Sequence, residues 1–417
     1  MSLMVGKKLD ERSRRERYYA LLEDWVEAAD GNNYSRANML LDGVAADRFD
    51  ESESATNDPE ALGLLRAMST ERVWHDQHQL GEIAKGDWIE IFLNDEGGAP
   101  LAWEMLPSDG YRRGPKRSVE RIRRIGRPTS DGAATGDDPE LALRLHTASR
   151  ASGGQHATIQ LQSLANRFVL DGSSTSGQAT TGDIEIMVLD VGQASAAIIR
   201  RQGIPIGLFD AGSPLWFNKR SMDRSFCPPD LGKGFIFLSH WDFDHFDLGR
   251  RHSVWHGNDW FAPDQPVGPN TALFQKMLGR RLTFVDGPLV IGGFRFERGT
   301  SLDPSDRNNS GYQLRYEQGK EAVLLTGDTD YAHIAPHMLA SLTHLCIPHH
   351  GGRGTIPPNP AGHTGRAIVS YGTPNGYRHP HVPQIRAHES LGWKVLATAH
   401  DVRPRGHRQL YPTPTKD

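Results

Sequence analysis

The apolar positions of this chain change texture near residue 180. From Glu11 to Ala29, Tyr18, Leu21, Leu22 and Trp25 recur at three- and four-residue spacing, which predicts a helix with one apolar face. A second helix is expected over 59–83, carried by Leu62, Leu64, Leu65 and Met68, with Pro59 in a first turn where its missing N–H costs nothing. Trp88–Leu93 and Leu101–Met105 read instead as short strands around a Gly97-Gly98 turn. Glu140–His146 predicts a short helix, and Thr158–Leu170 an apolar element of undefined type. The polar stretches Pro128–Pro139 and Asp171–Gly182 read as linkers.

Beyond Asp183 the pattern becomes strand, turn, strand. Ile184–Asp190, Ala196–Arg200, Ile206–Asp210, Gly234–Ser239, Ala322–Thr326 and Ala367–Ser370 are apolar runs ended by Asp, Ser or Gly. Thr271–Leu278 and Tyr331–Ser341 are helical candidates between them. This is a layered α/β arrangement without regular βαβ alternation. The expected organisation is an N-terminal α+β accessory region over 1–127, a linker-rich segment over 128–182, and a main domain over 183–417.

Charge alters the picture in one place. Residues 112–127 hold eight Arg or Lys against one Glu. The run reads either as a solvated helix face or linker, or as a phosphate-backbone contact through Arg112, Arg113, Lys116, Arg117, Arg121, Arg123 and Arg124. No aromatic residue is interleaved, so base stacking is not indicated. The net charge of -4 argues against a chain that wraps nucleic acid with its whole surface, leaving at most a local basic groove for DNA or RNA. Cys227 and Cys346 are the only cysteines and form no disulfide framework. The N-terminus lacks a signal-peptide core, and no apolar run is long enough to span a bilayer. A cytoplasmic protein without a membrane partner is expected.

Candidate chemistry gathers in the second half, which holds 15 of the 19 histidines, several of them adjacent or separated by one residue; histidines clustered near aspartates at strand ends are metal-site candidates. Directly after the Gly234–Leu238 strand stand His240-Trp241-Asp242-Phe243-Asp244-His245, with four ligand-capable side chains in six residues. Bringing carboxylates and imidazoles together without a counter-cation is costly, so the cluster points to metal. Asp328 follows a strand and Gly327, where a carboxylate can bridge two ions. His349-His350-Gly351-Gly352 follows another apolar run; one imidazole is a candidate ligand, with His349 favoured, and the other a positioning or substrate group. Cys346 reads as a small buried side chain. In Arg378-His379-Pro380-His381, either imidazole can protonate a leaving oxygen or bind a phosphoryl oxygen, and Arg378 adds charge.

His240-x-Asp242-x-Asp244-His245 resembles the His-x-His-x-Asp-His signature of the metallo-β-lactamase superfamily, with Asp242 in place of the second His. The series LDVGQ (Leu189–Gln193), FDAG (Phe209–Gly212), NNSGYQLRY (Asn308–Tyr316), LLTGD (Leu324–Asp328), HHGG (His349–Gly352) and HPH (His379–His381) is similar to the hydrolase domain of ComEC-type DNA-uptake competence proteins. Together these motifs span about residues 183–400. The resemblance implies an αββα four-layer sandwich preceded by the small α+β region. It also implies two divalent metal ions that activate water. His240 and Asp242 would serve the first ion, Asp244 and His245 the second, Asp328 would bridge, and His349 would complete the second site. Asp242 makes the first site richer in oxygen, which shifts the balance from zinc toward manganese or iron.

The competence-type likeness implies phosphodiester cleavage, a nuclease or phosphodiesterase. Lactam or thioester hydrolysis on the same scaffold, or a non-catalytic binding module with a structural metal, are the alternatives. The N-terminal region is a candidate site for a protein partner. Three departures from the subgroup pattern stand out: Gly192-Gln193-Ala194-Ser195 lacks the usual acidic residue, HHGG replaces HHGS, and Arg378 stands where Gly is common.

Overall fold

The computed structural model describes residues 16–26, 36–70, 73–74, 83–106, 112–129, 132–150, 155–156, 184–291, 293–399 and 405–414. The chain divides into two compact units. The first comprises Met1–Pro128, Ala133–Ser149 and Gly268–Asn270; the second comprises Thr129–Gly132, Arg150–Val267 and Thr271–Asp417.

The first unit is built on strands β1 (Glu16–Val26), β2 (Arg36–Ala45), β3 (Leu62–Thr70), β4 (Trp88–Asn94), β5 (Leu101–Leu106), β6 (Arg112–Pro128) and β7 (Ala134–Thr135). Their order is β4-β1-β2-β3-β5-β6-β7, and an additional β4–β6 pairing closes six of them into an antiparallel barrel. Its core contains Leu22, Leu41, Leu65, Ile89, Ile91, Val119 and Ile122. Two short helices accompany it, α1 (Ala46–Glu51) and α2 (Pro139–Ala148); Asp138 caps the second by accepting from the Leu141 N–H.

Three expectations are corrected here. The helix expected over 11–29 is a strand where described, because Tyr19–Glu23 are all buried and a β-bulge lies between Leu22 and Asp24. With both faces covered, the two-residue alternation that marks a strand disappears. The expected helix over 59–83 is β3 for its described apolar part, with Leu62–Leu65 buried in succession. The basic run is a 17-residue strand, neither a helix face nor a linker. Bulges opposite β4 skip Glu120 and Ile125, so its apolar residues Val119, Ile122 and Ile125 fall at a helix-like spacing of three. The first unit is therefore largely β. The elements expected at Thr158–Leu170 and Asp171–Gly182 lie outside the described residues.

The second unit is mixed α/β, rich in sheet and poor in helix. One sheet comprises β8 (Gln155–His156), β9 (Ile184–Val188), β10 (Ala197–Arg201), β11 (Ile204–Phe209), β12 (Phe235–Phe237), β13 (Asp259–Pro263), β14 (Leu282–Val285) and β22 (Arg408–Tyr411), ordered β22-β9-β10-β11-β12-β13-β14-β8. The other runs in order from β15 (Leu289–Ile291) through β16 (Phe294–Arg298), β17 (Tyr312–Gln318), β18 (Glu321–Leu325), β19 (His344–Cys346) and β20 (Gly365–Val369) to β21 (Trp393–Ala397). A single apolar cluster joins them, with Ile186, Phe209 and Phe237 from one sheet against Phe296, Leu314, Leu325 and Ile368 from the other. Phe237 stacks on Phe296 at 4.0 Å between ring centroids.

Helices in this unit are α3 (Phe243–Arg251), α4 (Pro269–Leu278), α5 (Pro336–Leu339) and α6 (Val382–Ser390). The helix expected over Tyr331–Ser341 is a 3-10 turn, Tyr331–His333, followed by α5, with Pro336 at the start of the second piece. Among the described residues no helix is long and apolar enough to cross a membrane.

Candidate metal centre

The centre is assembled where β-strands of the second unit end. After β12 the chain turns through Ser239-His240-Trp241-Asp242 and enters α3. Trp241, Phe243 and Phe246 are buried, and the Trp241 indole N–H donates to the Pro263 carbonyl at 2.9 Å. The aromatic residues thus anchor the turn, while the alternate His and Asp side chains converge. Asp242 is the N-cap residue of α3 and Asp244 lies in its first turn, where the helix dipole favours a carboxylate. Gly212 follows β11 and packs against the same turn; a Cβ there would overlap the Asp244 carbonyl.

Three imidazoles share one pattern. His240 Nδ1 is 2.9 Å from Ser239 Oγ, His245 Nδ1 is 2.8 Å from Asp210 Oδ2, and His350 Nδ1 is 2.9 Å from the Ser370 carbonyl. Ser239 donates its own N–H and hydroxyl to Asp210, at 2.7 and 3.0 Å. All three Nε2 atoms are buried without a hydrogen bond, yet each faces a carboxylate. His240 Nε2 lies 3.3 Å from Asp242 Oδ2, His245 Nε2 3.0 Å from Asp328 Oδ1, and His350 Nε2 3.3 Å from Asp244 Oδ2 and 3.9 Å from Asp328 Oδ1. Two sets of donor atoms converge to within 4.8 Å of one another: His240, His245 and Asp328, and Asp244, His245 and His350.

This donor set fits a divalent cation. Ligating histidines direct one nitrogen at the ion and give the other N–H to an acceptor behind the ring. Nitrogen and oxygen donors roughly 2.0–2.2 Å from an ion leave gaps of about the size seen between the paired atoms. Proton energetics agree. Burial opposes charge on His245, but Asp328 and Asp210 hold its pKa well above the ordinary histidine value. Burial likewise opposes charge on His350, and Asp328 and Asp244 raise it. Burial would raise the pKa of Asp328, but His245, His349 and His350 bring it well below the ordinary value. His240 is the exception, its pKa lowered by burial and then by His245; at His245 and His350 a metal cation can take the place of the protons.

The adjacent histidines divide. His350 is buried and points into the cluster, whereas His349 is 45% exposed at the rim, its Nε2 4.0 Å from Asp328 Oδ2. Both adopt left-handed backbone, φ 50° and 54°, and Asp210 and Arg378 do so at 62° and 60°. Four of the six such non-glycine residues described thus lie in or beside this centre, the usual place for stored backbone strain. His379 stacks near His350 and edge-on to His349, with centroids at 6.1 and 5.3 Å, and burial depresses its pKa to about 3. Arg378 is exposed, and His381 donates its backbone N–H to the Gly351 carbonyl.

Asp210, Ser239, Ser370 and Arg307 are structural contributors that residue-by-residue reading of the sequence missed. Arg307 is buried, with Nη2 3.0 Å from Asp242 Oδ1. The signal for Asp210 was present in the FDAG motif, an Asp after an apolar strand; nothing comparable marks Ser370 or Arg307.

The basic run belongs to the first unit. Arg112 and Arg113 pair in register with Leu106 and Met105, and Lys116 is exposed. Arg117 binds Glu16 and Asp95, Arg123 binds Glu90 at 2.9 Å, and Arg124 lies 3.3 Å from Asp87. Arg121 covers the Phe92 ring at 4.3 Å.

No family model matches the chain, and no curated protein matches it. Among solved structures it is similar to the diiron β-hydroxylase CmlA from Streptomyces venezuelae, at 12% identity and a TM-score of 0.34, over 93% of this chain and 75% of that one. It is similar to a possible metal-dependent hydrolase from Veillonella parvula DSM 2008, at 13% identity and a TM-score of 0.34, over 51% of this chain and 96% of that one. It is also similar to an archaeal metallo-β-lactamase superfamily protein from Sulfolobus tokodaii, at 15% identity and a TM-score of 0.24, over 54% of this chain and 81% of that one. Likenesses this distant leave family and activity to be argued from the site.

Proposed function

We propose that the second unit is a metal-dependent hydrolase of the metallo-β-lactamase type, with its sheets and helices in the αββα order, and that it cleaves phosphodiesters. The observation that carries the reading is the trio His240, His245 and His350, each with Nδ1 held from behind and Nε2 buried beside a carboxylate. Asp244, His245 and His350 are assigned to one ligand set and His240, His245 and Asp328 to an adjoining one, with His350 rather than His349 as the ligand and Asp242 beside His240. A divalent ion bound there supplies Lewis-acid polarisation and a water acidified toward neutrality.

The protein's own residues supply the rest. Asp210, Ser239 and the Ser370 carbonyl fix the orientation of the three rings. Asp242, Asp244 and Asp328 make the donor set oxygen-rich, which suits manganese or iron as well as zinc. Arg378, His379 and His381 belong to the loop beside the cluster, and we assign them to steadying an anionic substrate oxygen. Preference for a phosphodiester is supported by the ordered LDVGQ-to-HPH series and by this loop, independently of the arginines on β6.

Elemental analysis combined with a metal-dependent cleavage screen of single- and double-stranded DNA, RNA and cyclic dinucleotides tests the reading. The native protein should carry metal and cleave at least one diester; Asp244→Asn should lose both metal occupancy and turnover. Full activity and native metal content in that variant would refute the site. Lactam or thioester turnover without diester cleavage would refute the substrate class.

A further inference from the structure

Gln193 lies in the loop between β9 and β10, 1% exposed, and belongs to neither ligand set. Its Oε1 accepts the Gly372 N–H at 3.4 Å, and its Nε2 lies 3.2 Å from His379 Nδ1. The Gly372 N–H can only donate, which assigns the oxygen end of the amide to that side. The nitrogen end therefore faces His379, and an amide nitrogen can only donate. Nδ1 must then be the bare, accepting nitrogen, and the proton of the neutral ring sits on Nε2.

The surroundings hold this pairing in place. The Gln193 backbone N–H donates to Ser221 Oγ at 2.8 Å. A Cβ at position 372 would come within 2.6 Å of Gln193 N and of the Gly192 backbone, so glycine there permits the two loops to meet. Asn375 clamps the other side: its Oδ1 accepts the His379 N–H at 3.0 Å, and its Nδ2 donates to the His379 carbonyl at 2.9 Å. Ring and backbone are both fixed. His379 Nε2 faces Gly352, where a Cβ would stand 3.0 Å away, so the absent side chain leaves open space in front of the N–H. This gives a physical use for HHGG.

We propose that Gln193 is a positioning residue that locks His379 as the Nε2–H tautomer, making it a neutral hydrogen-bond donor to a substrate oxygen beside the metal centre. The receiving oxygen rests on the hydrolase reading above; the tautomer does not. A neutral imidazole releases its last proton only at high cost, so His379 stabilises developing negative charge on oxygen and does not protonate the leaving group. With Nε2 protonated and Nδ1 occupied, His379 is also barred from serving as a further metal ligand.

The test is nitrogen NMR of the full chain labelled with [15N]histidine, metal-free and zinc-loaded, with His379 assigned from the resonances lost in His379→Gln. The native spectrum should show a protonated Nε2 and a bare Nδ1 in both states. Gln193→Glu accepts from both Gly372 N–H and Nδ1–H, so it should invert the tautomer; Gln193→Met should leave a mixture. In Gln193→Glu kcat should fall about 10²-fold, the scale of losing one oriented donor, and in Gln193→Met only by the fraction of rings that lose the Nε2–H, with zinc content unchanged in both. A native Nδ1–H tautomer, or a native spectrum retained in both variants, would overturn the proposal. The native tautomer in a protein that binds zinc but cleaves no diester would remove the hydrolase reading and with it the donor role, leaving the tautomer assignment in place.

Discussion

The barrel and the metal centre both bury carboxylates, and they neutralise them in opposite ways. In the barrel, Asp87 is fully buried against Arg124 and Arg127, and Glu90 sits between Arg17 and Arg123. A guanidinium cannot be deprotonated in a protein, so those pairs are permanent and structural. In the candidate metal centre Asp242 also meets a guanidinium, that of Arg307, but among the described residues the ion-pair partners of Asp210, Asp244 and Asp328 are imidazoles. An imidazolium is a positive charge that can leave, and its bare nitrogen is a ligand. The nature of the counter-charge, fixed or replaceable, separates a buried acid that holds a fold from one that awaits a cation.

The strongest way to break the comparison is Asp328→Asn, which removes the carboxylate common to the paired imidazoles. Turnover should fall by well over the roughly 10²-fold typical of outer-sphere changes, with metal lost on dialysis; elemental analysis and rate measurement decide it. Next is Asp87→Ala, which strands two arginines. It should cost about 3–5 kcal/mol in a urea titration while bound metal per chain stays native. A loss of metal in that variant would mean that the barrel acids are not purely structural.

Smaller effects sharpen the distinction. Asp210→Asn keeps the shape behind His245 but weakens its orientation, and should lower metal affinity or activity about 10–100-fold, read by competition with a chelator. His344 is a buried imidazole whose nitrogens meet the hydroxyls of Thr343 and Thr413, with no ion-paired acid among the described residues. Burial, then Arg366, depresses its pKa from 6.5 to about 4. Folding favours its neutral form, so stability falls as pH drops below about 6.5 toward 4. His344→Gln should recover on the order of 1 kcal/mol near pH 5 in a denaturant midpoint.

The candidate metal centre was legible because its histidines and aspartates come in short bursts. His240–His245 is contiguous, and Asp328 and the 349–350 pair each follow an apolar strand and precede glycine. What lies behind the three imidazoles was not legible, because Ser239, Asp210 and Ser370 meet only when three strand ends are brought together. The choice between His349 and His350 depends on two left-handed backbone residues in succession, which no side-chain pattern announces. The barrel was misread for a related reason. β1 is covered on both faces and β6 is bulged twice, so neither shows the alternation by which strands are recognised.

The length of β6 bears on how the barrel comes into being during synthesis. Its first part pairs with β5 and its second with β4, so one late segment supplies the seam. Until Gly126 has left the ribosome, β4 and β5 each present a row of unpaired backbone groups, and Ile89, Ile91 and Ala102 lack their final cover. The nascent chain is most exposed to strand-to-strand aggregation in that interval, and the arginines of the seam arrive together with its closure.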